Sequence, residues 1–279
     1  MRIALFSFLL CAALTACDTS EKKAAAAYKE ALALYEQQNF FAAKSAIDSI
    51  RIKFPKQYDV LKASLELMRK VEFKETERTL AFCDSLMPLR QAAFLEKKKA
   101  FAFEKDTAYE EVGNYVWKQQ TVERNTERCY VRCGVNEKGE MYLASVFYGK
   151  GALKHTGIKV NVPKTELFAE TPSIPYDGGM NYRFEDLGFT TEVVTYKDGK
   201  AKDVIQLIYD NAKERIRVQY TGGRPYVLYM ATSDKQSIVS TYELALVLSD
   251  IEAMKKEKEK ALKKLAYLNK KGISDSPAN

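Results

Sequence analysis

Cys129 and Cys133, spaced as C-x-x-x-C, and His155, the chain's one histidine, are the residues whose types could hold a metal ion. Thiolate and imidazole are zinc ligands, but a tetrahedral site takes four and this set supplies three. On one strand the two cysteines would stand ~13 Å apart at ~3.3 Å per residue, beyond disulfide reach. With Cys83 they make an odd set past residue 17, so they read as buried thiols, with no metal. For acid–base work the carboxylates are Glu185-Asp186 and Asp177 before Gly178-Gly179. Adjacent residues on a strand point to opposite faces, so Glu185 and Asp186 would not act as a pair, and an aspartate before two glycines is what a turn needs. There is no G-x-S-x-G elbow, phosphate-binding loop or dinucleotide fingerprint. The chain therefore reads as no enzyme, with no cofactor and no nucleic-acid partner expected.

Two further cysteines, Cys11 and Cys17, lie near the start. Arg2 followed by the apolar run Ile3–Ala16 has the form of a secretory signal, too short for a spanning helix of ~20 residues. At its end Leu14-Thr15-Ala16-Cys17 resembles the lipobox of bacterial lipoproteins, whereas Cys11 follows Phe8-Leu9-Leu10 and lacks a small neighbour. The resemblance implies that residues 1–16 are removed and that Cys17 carries a diacylglycerol on its thiol and an acyl chain on its amine. Chains of that kind, at ~0.8 kcal/mol per buried CH₂, hold a protein on a membrane stably. The expected location is the cell envelope, at the periplasmic face of the inner or outer membrane or at the cell surface.

Removing residues 1–16 takes one charge, Arg2, from the formal net +7. The remaining excess is concentrated between Lys255 and Lys271, where eight lysines accompany only Glu257 and Glu259. The protein has a basic end, and Lys255, Lys256, Lys263 and Lys264 are its candidates for contact with anionic headgroups, lipopolysaccharide or an acidic protein.

These residues need elements to hold them. Shifted by 33 residues the chain matches itself: Tyr28 with Leu61, Tyr35 with Met68, Phe40 with Phe73, Ile47 with Leu80, Ile50 with Cys83 and Pro55 with Pro88. Apolar residues spaced by three, four and seven predict helices, and proline closes each unit. Tyr28, Tyr35, Phe40, Ala43, Ile47, Ile50 and Pro55 resemble the tetratricopeptide repeat; Leu32 and Gln38 stand where that family has small residues or glycine, and Thr76 replaces the packing alanine. The resemblance implies two stacked helical hairpins over residues 24–88. A third helix is expected from Leu89 through Phe94, Phe101 and Tyr109 to Gln120, as a cap.

After Glu127 the period drops to two. "RCYVRCGV" and "MYLASVFYG" flank a turn at Gly139, "GIKVNV" and "FTTEVVTY" alternate likewise, and "RIRVQYTGGRPYVLYM" reads as a hairpin around Gly222-Gly223. Residues 203–211 read either as a helix with Val204, Leu207 and Ile208 on one face or as a strand. Eleven of the seventeen tyrosines fall between Tyr130 and Tyr242, as a ligand cleft or as half-buried sheet surface. Ser233-Asp234-Lys235-Gln236 opens a long helix to Lys271, first apolar nearly all round, then with a seam of Ile251, Met254, Ala261, Leu265 and Leu268 interrupted by Lys258.

The fold class expected is α+β: helical hairpins over 24–125 after a signal (1–16) and linker (17–23), an antiparallel β-rich domain over 126–232, a long C-terminal helix over 233–271 that packs back on the helical part, and a short tail. Two functions fit: an envelope lipoprotein that scaffolds another envelope protein, or one that binds a sugar, peptide or lipid fragment in a tyrosine-lined cleft.

Overall fold

Gln38 adopts a left-handed backbone conformation, φ +58°, and Asn39 beside it accepts the Ala42 N–H on its side chain at 3.3 Å. Together they reverse the chain between α1 (Phe8–Glu36) and α2 (Phe40–Lys53). The computed structural model describes residues 8–105, 111–163 and 165–272, with side chains from Thr19 onward. The side chain of Cys17, residues 1–7 of the expected signal, Tyr109 and the tail beyond Gly272 lie outside the described residues; 19–23, expected as linker, already belong to α1.

The first compact unit comprises residues up to 85 together with those from 255. Its core is Ala31, Phe40, Ala43, Ile47, Ile50, Leu67 and Val71, with Tyr28, Tyr35 and Leu61 against it. The second expected hairpin is absent: α3 (Tyr58–Lys97) runs unbroken through Phe73 and through Pro88. The positions equivalent to Gln38 and Asn39 are Val71 and Glu72, which supply neither a left-handed residue nor an N-cap, and Val71 is fully buried. From Lys255 onward α5 (Thr232–Lys270) packs with these helices as expected. Ile251, Ala261 and Leu268 are buried along its seam, and the interrupting Lys258 reaches Asp84 at 2.5 Å.

The second unit spans residues 86–254. The third helix expected to reach Gln120 gives way to strands, β1 (Phe101–Glu104) paired antiparallel with β2 (Asn114–Trp117). Phe94 and Phe101 fit helical spacing by accident. Alternation governs instead: Phe101 is buried and Phe103 is exposed over Gly113, where an added Cβ would come within 2.3 Å of its ring.

The remaining elements are β3 (Tyr130–Asn136), β4 (Met141–Gly149), β5 (Gly157–Asn161), β6 (Phe168–Glu170), β7 (Asn181–Asp186), β8 (Phe189–Tyr196), α4 (Lys202–Asp210), β9 (Arg217–Thr221) and β10 (Tyr226–Tyr229). They form a six-stranded sheet ordered β1-β2-β3-β4-β8-β7 and a four-stranded sheet ordered β10-β9-β5-β6. The expected hairpins at Gly139 and Gly222-Gly223 form, and Gly139, at φ +86°, sits where a Cβ would strike Ser249 of α5.

Leu143, Phe147, Val194 and Tyr196 from one sheet, Ile158, Val160, Val218 and Tyr220 from the other, and Val204, Ile205 and Ile208 from α4 make the main core, which Ile238 of α5 joins. The Tyr220 hydroxyl donates across it, 2.8 Å from the Val146 carbonyl. The first half of α5 packs Leu244, Ala245 and Leu248 against Phe101 and Val135; Leu246, in the stretch that is apolar nearly all round, is 48% exposed. Among the described residues no helix is long and apolar enough to cross a membrane.

Candidate functional site

Alternation along β3, β4, β8 and β7 sends one set of side chains to the inter-sheet core and the other to the opposite face. There, register aligns Tyr130, Val146, Val193 and Tyr182 in one cross-strand row and Tyr148, Thr191 and Phe184 in the next. Phe189, opposite Asp186, follows, and its ring stacks on Tyr148 with centroids 5.1 Å apart and planes within 6°. Residues 122–127 and the β7–β8 turn at Leu187 wall these rows into a cleft of about 330 Å³. Tyr130, Val146 and Val193 are its buried floor, whereas Phe184 is 54% and Leu187 93% exposed.

The polar groups of the cleft are unevenly charged. Glu127 and Asp186 lie near Tyr148; burial, then these carboxylates, holds its hydroxyl above the usual phenol value. Arg132 lines the cleft beside Tyr130. Its Nε is buried and has no hydrogen-bond partner among the described residues. Burial keeps the Tyr130 hydroxyl above its ordinary value despite Arg132 and Arg128, so it is protonated at neutral pH.

On the core side of the same strands lies an arrangement that sequence reasoning missed. Ser145 Oγ is 2.9 Å from His155 Nε2, and His155 Nδ1 is 3.0 Å from Glu192 Oε2. The Ser145 hydroxyl also meets that of Tyr196 at 2.9 Å. The order hydroxyl, imidazole, carboxylate is that of nucleophilic catalysis. All four side chains are closed to solvent and none lines a described cavity, so no substrate reaches Ser145 in this conformation. The chain instead satisfies polar groups between the sheets and ties the 150–156 loop to β8 through the Lys154 and His155 N–H groups, which both donate to Glu192. A signal for it existed: Glu192 shares its strand face with Val194 and Tyr196, and an inward carboxylate needs a partner.

A second missed cluster gathers at the start of α5. Asp234, placed by its sequence in a capping box, is buried; it accepts the Gln120 side-chain amide at 3.0 Å and pairs with Arg128. Gln120 Oε1 in turn accepts the Cys133 N–H at 3.3 Å.

The candidates for metal binding are dispersed. Cys133 Sγ bonds Thr241 Oγ1 at 3.3 Å, and burial pushes its thiol up to about 11, against thiolate formation. Cys129 Sγ sits between the N–H and C=O of Tyr148, and His155 is held as above. No group of three metal-ligating side chains occurs among the described residues. Glu185 and Asp186 fall on opposite faces of β7, and Asp177 accepts the Gly179 and Asn181 N–H groups in its turn. Of the lysines, Lys263 is paired with Glu259 at 2.5 Å and Lys264 lies 3.7 Å from Glu72; Lys255 and Lys256 are exposed. In comparisons with models of protein families, with curated proteins and with solved structures, nothing matches this chain.

Proposed function

We propose that the protein is a non-enzymatic binding protein of the cell envelope, held to a membrane by lipid on Cys17, that takes a small ligand into the aromatic cleft on the outer face of its six-stranded sheet. The observation that carries the proposal is the cleft itself: three tyrosines and two phenylalanines around about 330 Å³, rimmed by hydrogen-bonding side chains. That size is at the lower end of small-molecule sites, ~300–1,000 Å³, and the mixture of apolar surface with a few placed polar groups is what such sites need. Membrane attachment is supported by the Leu14-Thr15-Ala16-Cys17 sequence.

A scaffold role is the second reading. It is favoured by Phe41 and Phe82, 83% and 60% exposed, which line a hollow of about 440 Å³ on the helical unit. A thermal-shift screen of small saccharides, peptides and fatty acids against the parent protein and a Tyr182→Ala/Phe184→Ala variant separates the two. A ligand that stabilises the parent and not the variant supports the cleft. If no compound stabilises the parent, and Phe41→Ser/Phe82→Ser abolishes crosslinking to an envelope protein, the scaffold reading replaces it.

A further inference from the structure

We propose that the cleft is specific for a saccharide bearing a carboxylate, with its ring on the aromatic faces and its carboxylate on Arg132; this rests on the reading of the cleft as a ligand site.

The ring follows from what the surface offers. β7 is the sheet's edge strand, but β4 and β8, which carry Val146, Tyr148, Thr191 and Val193 on the cleft floor, are paired on both sides, so a ligand on that floor finds no free backbone to pair with. Recognition there is by side chains alone. The faces of Tyr182 and Phe184 are flat and carry negative quadrupole charge, which suits the polarised C–H groups of a pyranose. Thr126, Glu127 and Thr191 line the cleft with hydroxyl and carboxylate groups, while the Asn125 amide N–H groups are donated to the Gln119 and Thr121 carbonyls. A sugar's hydroxyls use these groups, whereas an acyl chain in the same place would desolvate them without return.

The carboxylate follows from charge. The cleft's two acids, Glu127 and Asp186, act on Tyr148. Arg132 is opposite Ala144, four residues from Tyr148 along β4, ~13 Å at ~3.3 Å per residue. No ion pair to Arg132 is formed among the described residues, and its Nε is buried without an acceptor. Arg132 is the one cationic side chain lining the cleft among the described residues, and a carboxylate is the strongest hydrogen-bond partner of a guanidinium. The acidic end, by contrast, repels a second carboxylate and accepts hydroxyls.

The test is a titration of the mature, lipidated protein in detergent with a galacturonic acid trisaccharide, its fully methyl-esterified form, a tripeptide and octanoate, following the resonances of the cleft residues. The acidic sugar should bind about tenfold or more tightly than its ester, the worth of a lost charge-assisted hydrogen bond. Arg132→Gln should bring the acid's affinity down to that of the ester. Tyr182→Ala should weaken both sugars. Equal affinities of acid and ester in the parent, or a difference that survives Arg132→Gln, overturn the carboxylate assignment but leave the cleft a ligand site. Cleft resonances that respond to the tripeptide or octanoate and not to sugar overturn the sugar class alone. If no probe moves them, both the inference and the reading it rests on fail.

Discussion

His155 donates through Nδ1 to Glu192 Oε2 at 3.0 Å, with both side chains buried between the two sheets. Burial alone would raise the Glu192 carboxyl; the His155 ring and the Lys154 and His155 N–H groups outweigh it and hold the group below its ordinary 4.5. A carboxyl depressed on folding contributes stability that is complete above its unfolded value and is lost as pH falls through the folded one. Stability should therefore decline on acidification below about pH 4.5. Glu192→Gln should cost about 2–3 kcal/mol at neutral pH, because the N–H groups lose a charged acceptor, and should flatten that acid limb. Urea unfolding at several pH values measures both; an unchanged acid limb in the variant assigns it to other carboxylates.

Asp234 is the acceptor on which Gln120 and Arg128 converge. Asp234→Ala leaves the buried Gln120 amide short of a partner and should destabilise the protein by about 2–4 kcal/mol. Arg128→Ala should cost less, about 1 kcal/mol, because Arg128 is partly exposed and Gln120 still bonds Asp234. Equal losses in chemical denaturation would show the ion pair to dominate.

Gln38→Gly should stabilise the helical unit by about 0.5–1 kcal/mol, because a side chain at φ +58° carries a steric penalty that glycine does not. Thermal melting checks this, and a lower melting temperature would mean that the Gln38 side chain contributes more than its conformation costs.

Cys17→Ala should leave the chain without lipid and release it from the membrane fraction, while the same change at Cys83, Cys129 or Cys133 leaves its location unaltered. Fractionation with mass spectrometry of the N-terminal peptide reads it. An unlipidated variant that still sediments with membranes after a salt wash puts the anchor elsewhere.

Local pattern carried most of the strand-rich half, because alternation with Gly139 or Gly222-Gly223 between runs has one structural solution. The seam of α5 was equally plain, with Ala261 and Leu268 buried where spacing places them. The internal repeat misled because apolar spacing is the same in one long helix as in two short ones; the difference is in the turn, and Val71-Glu72 lacks what Gln38-Asn39 supplies. Phe101 was drawn into a helix by a spacing of seven from Phe94, with no proline or glycine between them to separate the readings. The tyrosine-rich surface was visible as composition, but which tyrosines share a face depends on register: Tyr182 meets Tyr130 only through Val193 and Val146. Ser145, His155 and Glu192 are joined by pairing of β4 with β8 and by the loop between the sheets, which no short window of sequence contains.

The most direct test of the cleft as a ligand site is photocrosslinking in living cells, with a photoreactive phenylalanine analogue at position 182 and, as a control, at position 82. The cleft reading requires that the 182 probe capture a small adduct, seen as a discrete mass increase on the intact protein. A protein-sized adduct at 182, or no adduct there while the probe at 82 captures an envelope protein, would contradict it.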